Sequence, residues 1–390
     1  MSIFVLLSAL LFAGCQSPQN RDALLERCER RDDPEDRLAA CAALIDEGSG
    51  DQLDRALFIS QRGFALQALS QYDRAERDFD EAVRLAGRDA SFALTSRGNY
   101  FAARGDFARA LADHDAAVAI APNSLSALHD RGLIHAQLRD YDRAIRDFDE
   151  ALRLAPDFVS ALRQRAHAHA SAGRHARAIA DYDEAIRLDP EAAHTYRNPG
   201  VSHANLRAFE KAVEDYTRAL ELDPDDAYAR VYRGRVYSLE FNDQDKAIAD
   251  FTEALRANPR DVGLLESRAY AYSVQGRFAL PASDMTIAIA LQENNATHWN
   301  NRSWYRVGAG QLKEAVADCN EALRLMPTMP QALDSRGSAR VKLGQLDAAI
   351  ADYNDALQLA RRSASSLYGR GLAKRMKGDT AGAAADIAAA

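Results

Sequence analysis

Apolar residues recur along this chain at helical spacing in short stretches, two at a time, with a polar turn between them. The run Leu125 to Phe158, LSALHDRGLIHAQLRDYDRAIRDFDEALRLAPDF, shows the pattern most cleanly. It predicts two antiparallel helices. Asp140 and Asp142 flank the start of the second, where side-chain oxygens accept from free backbone N–H groups. Pro156 closes the run because proline cannot continue a helix. Counting Leu125 as position 1, Gly132 falls at 8, Ala144 at 20, Phe148 at 24, Ala151 at 27 and Pro156 at 32. Gly132 and Ala144 mark a close approach of the two helices, and Phe148 fills the space beside them. The pattern repeats every 34 residues, in units starting near 56, 91, 125, 159, 193, 227, 262, 296, 330 and 364, the last one incomplete. A hairpin of this size cannot bury its apolar side alone, so successive units stack.

This period, with its small and aromatic positions, resembles the tetratricopeptide repeat family over residues 56 to 390. The resemblance implies an all-α fold, a right-handed α-solenoid of tandem tetratricopeptide helix-turn-helix hairpins. It implies a protein-protein interaction scaffold that binds peptide or protein partners in a concave groove, without catalysis and without a cofactor. In that family the first helix of each unit lines the groove, chiefly with positions 2, 5, 9 and 12, and position 6 can add Asn. Carried over residue by residue, the middle units place Arg163, His167, His194, Arg197, Asn198, Tyr228, Tyr232, Arg235, Tyr270, Asn300, Asn301 and Trp304 there. Exposed aromatics and Arg are what binding hot spots are made of, and the arginines favour an acidic segment. The alternative is that Tyr and Arg pack between neighbouring helices, Tyr232 above all. The first three units offer little that is distinctive: Leu57, Ser60, Thr95, Asn99 and Ser126. Asp130, Tyr232 and Ser267 interrupt any continuous row of Asn.

Charge recurs as regularly as apolarity. Position 23 is Asp in all ten units, and position 7 is Arg in nine. In an antiparallel hairpin the two positions are neighbours, which predicts a repeated Arg–Asp pair, because partly buried charges occur paired. The alternative is a ladder of binding arginines. Pro199 replaces Arg in the fifth unit, which predicts a kink or a late helix start and leaves Asp215 without its usual partner. His135, His169 and His203 recur at position 11. Neighbouring helices are roughly 8–10 Å apart. Zinc ligands lie about 2 Å from one centre, so packing is the better reading and no metal is expected.

The net charge of −8, with both signs interleaved, excludes a basic nucleic-acid footprint. No nucleophile elbow, zinc-protease or phosphate-loop motif occurs. A second reading remains open: the repeat arm of a larger enzyme, such as a transferase, whose catalytic domain lies beyond the C-terminus. The apolar run Ala383 to Ala390 predicts a fragment, or an end covered by a partner or a second copy.

Residues 1–15, MSIFVLLSALLFAGC, carry an apolar run too short to span a bilayer, which reads as an export signal. Its end resembles a bacterial lipoprotein signal, with Cys15 as the lipidated residue, although no Lys or Arg precedes the run. Export to the bacterial cell envelope, with membrane contact only through that lipid, is the expectation. An ordinary N-terminus and a cytoplasmic scaffold are the alternatives. Residues 16–55 form a linker and helical cap in which Cys28 and Cys41 could pair in an oxidising compartment. Cys319 falls at a core position.

Overall fold

A computed structural model describes residues 18–390 other than 31 and 49, so segment 1–15 and Cys15 lie outside the described residues. Among the described residues there are helices and turns and no strands. The chain divides into two compact units, one ending at Pro190 and the other beginning at Glu191. The first holds a cap of two helices, Pro18–Glu29 and Pro34–Asp46, and four hairpins. Their first helices are Gln52–Ala68, Ser91–Ala103, Leu125–Gln137 and Val159–Ser171. The second unit holds six hairpins, with first helices Ala193–Asn205, Ala227–Leu239, Val262–Val274, Ala296–Gly308, Pro330–Lys342 and Ala364–Met376. Within each unit, consecutive helices pack on one another and successive first helices touch. Each unit is thus an all-α solenoid of tandem helix-turn-helix hairpins.

Small residues set the close approach inside a hairpin. Ala144 and Ala151 are fully buried, and a Cβ on Gly132 would sit 2.7 Å from the Phe148 ring. In the eighth hairpin Ser303 takes position 8 and faces the small Cys319, with Oγ 2.8 Å from Sγ. Each hairpin turn needs one left-handed residue. Gly173 takes it freely at φ 74°, whereas Arg139 is held there at φ 61°. Asp140 caps the following helix by accepting from the Arg143 N–H at 3.1 Å, while Asp142 pairs with Arg174 instead. The first hairpin starts at Gln52, four residues before the repeat frame. Asp51 accepts from the Leu53 and Asp54 N–H groups, and Asp54 accepts from the Asp51 N–H, a reciprocal cap.

All nine arginines at position 7 reach the Asp at position 23 of their own hairpin. Arg268, for example, donates from Nε and Nη2 to the two Asp284 oxygens at 3.0 and 2.7 Å. Most also reach back one hairpin through Nη1. Arg97 meets Asp80, Arg268 meets Thr252, Arg302 meets Thr286, and Arg336 meets Asn320. One planar guanidinium therefore joins the two helices of a hairpin and also joins that hairpin to the one before it.

At Pro199 one of the two expected outcomes, a late helix start, does not occur. The helix Ala193–Asn205 starts in the same register as the others and runs through the proline, so there is no late start. Asp215 is not left bare either. His203 at position 11 puts Nδ1 2.7 Å from Asp215 Oδ2, from one turn further along the helix. His135 and His169, at the same position, are buried, and burial lowers the pKa of each.

In the cap, a disulfide joins Cys28 and Cys41, whose Cα atoms are 4.9 Å apart. Both lie in a core with Leu44, Ala56 and Ile59, which ties the cap to the first hairpin. Arg37 donates from Nε to the Cys28 carbonyl at 3.1 Å and also bonds the Gln61 side chain.

Candidate functional site

On the first helices of the second unit, Tyr228 is 67% exposed, Tyr270 50% and Trp304 52%. Arg235, Tyr270 and Trp304 occupy position 9 of three successive hairpins, and Arg235 is exposed. Phe278 and Tyr305 hold the Trp304 ring edge-on, at centroid distances of 5.7 and 5.3 Å. Arg197 donates to Asp226 at 3.0 Å and lies over the Tyr228 ring. Glu266 is engaged by His298 Nε2 at 3.2 Å, and Asp334 accepts from Ser366 Oγ at 2.6 Å. Arg235 has no ion-pair partner among the described residues. A cleft of about 360 Å³ opens beside Trp304, lined by Asn301, Gln331, Asp334 and Ser363 among others.

Two expected groove residues sit differently. Asn300 is buried rather than open, and its Oδ1 has no hydrogen-bond partner among the described residues. Tyr232 is half-buried and stacks on Tyr216 at 5.9 Å, which is the packing alternative. Asn198 and Asn301 are half-buried. Arg163 and His167 belong to the first unit. His167 is exposed, whereas Arg163 pairs with Asp189.

The first unit contains a cleft of about 810 Å³ across its first three hairpins and the cap. Arg37, Gln61, Phe64, Tyr72, Asn99 and Asp130 are among its walls. Asp130 accepts from Asn99 Nδ2 at 2.9 Å and lies 3.0 Å from His129 Nδ1, and its side chain is 20% exposed. Burial pushes the Asp130 pKa up, but the hydrogen bonds from His129 and Asn99 outweigh it and hold the carboxyl below its ordinary value. Arg104 stacks over the Tyr72 ring at 4.1 Å. Among the described residues no group of three or more His, Cys, Asp or Glu is placed to hold a metal. Nor is any described helix long and apolar enough to cross a membrane.

Tetratricopeptide repeat models match residues 61–124 and 200–262, 98–170, 159–192 and 337–378, which together span more than half of the chain. The chain belongs to the tetratricopeptide repeat family. Solved structures are similar in fold. The C-terminal part of a tetratricopeptide repeat-containing protein from Cytophaga hutchinsonii is 18% identical, with a TM-score of 0.54, over 61% of this chain and 97% of that one. A tetratricopeptide repeat protein from Parabacteroides merdae is 20% identical, with a TM-score of 0.47, over 64% and 98%. YrrB, a tetratricopeptide protein with an unusual peptide-binding site, is 22% identical, with a TM-score of 0.44, over 48% and 97%. At these identities the likeness is one of fold. No curated protein matches the chain. Tetratricopeptide repeat proteins are generally non-catalytic scaffolds, and this fold is one suited to protein–protein interaction.

Four walls of the first unit's cleft, Thr95, Asn99, Ser126 and Asp130, fall at groove positions of the repeat, although taken singly nothing in the sequence marked them as distinctive. Two of its walls, Arg37 and Tyr72, lie in the cap and at a hairpin turn, outside the template. The available signal was the run of carboxamides Gln61, Gln67 and Asn99 on neighbouring first helices.

Proposed function

We propose that this chain is a scaffold that holds an acidic segment of a partner protein or peptide against the first-helix side of residues 191–390. One observation supports the reading above others. Tyr228, Tyr270 and Trp304 are half or more exposed, on the same helices as an exposed arginine that has no ion-pair partner among the described residues. Large rings left in water cost free energy that a partner recovers by covering them, and a cation among them gives direction. Asp226, which caps the helix that carries Arg235, is already paired with Arg197, so Arg235 is left to meet an incoming acidic group. The test is a pull-down from membrane extracts with the triple change Arg235→Ala, Tyr270→Ala and Trp304→Ala. Loss of the partner with an unchanged thermal midpoint supports the reading. Capture that survives the triple change refutes it.

We further propose that the chain works in an oxidising compartment, as an exported and lipid-tethered protein of the bacterial envelope. The cap disulfide supports this, since such bonds persist where thiols are not kept reduced. Mass spectrometry of alkylated, unreduced protein from its native compartment decides it: two free thiols at Cys28 and Cys41 count against export.

A further inference from the structure

We propose that the cleft across the first three hairpins is a second binding site, which takes a basic peptide side chain against the Asp130 carboxylate. It belongs to the unit that ends at Pro190, whereas the aromatic residues described above belong to the other unit, and it does not depend on that reading. The position-23 carboxylates next to a position-7 arginine are each matched by its guanidinium. Asp130 is four-fifths covered, yet it has no Lys or Arg within ion-pair reach among the described residues. A covered charge without a counter-charge is costly. Here it is held by one hydrogen-bond partner on each oxygen, Asn99 on Oδ2 and His129 on Oδ1, and neither carries the permanent charge of a Lys or Arg. Each oxygen keeps a further lone pair. The cations of the same cleft are occupied elsewhere: Arg104 on the Tyr72 ring, Arg37 on the Cys28 carbonyl and Gln61. Gln67 and Ser96 also line the cleft and offer donors and acceptors to a peptide backbone. The space is that of a small-ligand site and admits a side chain with its flanking backbone.

The test is calorimetric titration of the full chain with capped Ala-Ala-Xaa-Ala-Ala peptides, where Xaa is Lys, Gln or Glu. Salt at about 0.15 M damps attraction by distant surface charge. The Lys peptide is expected to bind at least about tenfold tighter than the Gln peptide, and the Glu peptide weakest, as close charge pairs at interfaces do. Asp130→Asn should erase the Lys preference. Ser126→Lys, which brings a cation to the cleft from an exposed position without touching Asp130, should erase it too. Asp225→Asn, which removes an exposed carboxylate elsewhere, should leave it intact. The triple change at Arg235, Tyr270 and Trp304 should also leave it intact, so the two readings fail separately. The proposal is overturned if the Lys peptide does not bind, if it binds no better than Gln, or if its advantage survives both Asp130→Asn and Ser126→Lys. Loss of the advantage in Asp225→Asn overturns it as well, as does spermidine binding as tightly as the Lys peptide.

Discussion

Replacing Asp318 with Asn puts the repeated brace to its hardest test. The Asp318 side chain is 3% exposed and serves two cations. Arg302 donates from Nε at 2.9 Å and from Nη2 at 2.6 Å, and Arg306 donates from Nη1 at 2.6 Å. Arg302 is only 10% exposed, so water cannot replace the lost charge. Removing one partner of a buried ion pair costs about 3–5 kcal/mol, because the other charge is stranded. Asn keeps the shape and one acceptor, which places the expected cost near the low end, about 3 kcal/mol. Solenoid stability is close to a sum of repeat and neighbour terms, so the loss should be local rather than spread over the chain. Hydrogen exchange is the fitting assay. Protection should fall by about a hundredfold in Ala296–Gly308 and Leu312–Leu325. A smaller fall is expected in Ala279–Leu291, which Arg302 reaches through Thr286. The exposed pair Arg218–Glu221 serves as control, and Glu221→Gln should change stability by less than about 0.5 kcal/mol. If Asp318→Asn leaves protection within a factor of about three, the Arg–Asp pair is not what holds the two helices together.

Two further outcomes follow from single positions. His114 is fully buried at an aromatic position, neither ring nitrogen has a hydrogen-bond partner among the described residues, and burial lowers its pKa below the ordinary 6.5. The unfolded chain therefore takes up a proton first as pH falls, so stability present above about 6.5 is lost below it; His114→Phe should raise the melting temperature and flatten its fall between pH 7 and 5, and an unchanged pH slope contradicts this. Pro199→Arg should recover a helix hydrogen bond and restore the position-7 arginine near Asp215, raising stability by about 2–3 kcal/mol in urea unfolding; a drop would mean that His203 and the buried proline already form the better arrangement.

The fold was readable because the chain states each rule ten times. One Gly opposite one Phe is weak evidence, but Gly132 and Phe148 recur in register with Gly200 and Tyr216. The Arg–Asp brace emerged the same way, from two positions that are fixed while their neighbours vary. The back-reaching bond was hidden because its acceptor changes from Asp80 to Thr252 to Asn320, three residues that share an oxygen and little else. The new partner of Asp215 was hidden for a related reason. Position 11 carries His203, Arg306, Arg340 and Lys374 in four units and a packing residue in the others, and these four reach the position-23 carboxylate from one turn further along the helix. The cleft at Asp130 takes one wall, Arg37, from a cap that is stapled by Cys28 and Cys41, and no repeat frame describes that cap.

The same periodicity explains why the exposed face can vary without loss of the fold. In three successive hairpins the bracing arginine stands two residues before the exposed side chain: Arg233 and Arg235, Arg268 and Tyr270, Arg302 and Trp304. A helix turns about 100° per residue, so residues two apart point to nearly opposite sides. One side of each helix is committed to Asp250, Asp284 or Asp318 in its own hairpin. The other side carries little of that load, so Arg, Tyr and Trp can replace one another there at small cost to stability. The exposed side chain is therefore free to change hairpin by hairpin while the brace two residues earlier stays the same. For the same reason the triple change at Arg235, Tyr270 and Trp304 separates recognition from folding, whereas any change at Arg233, Arg268 or Arg302 would confound the two.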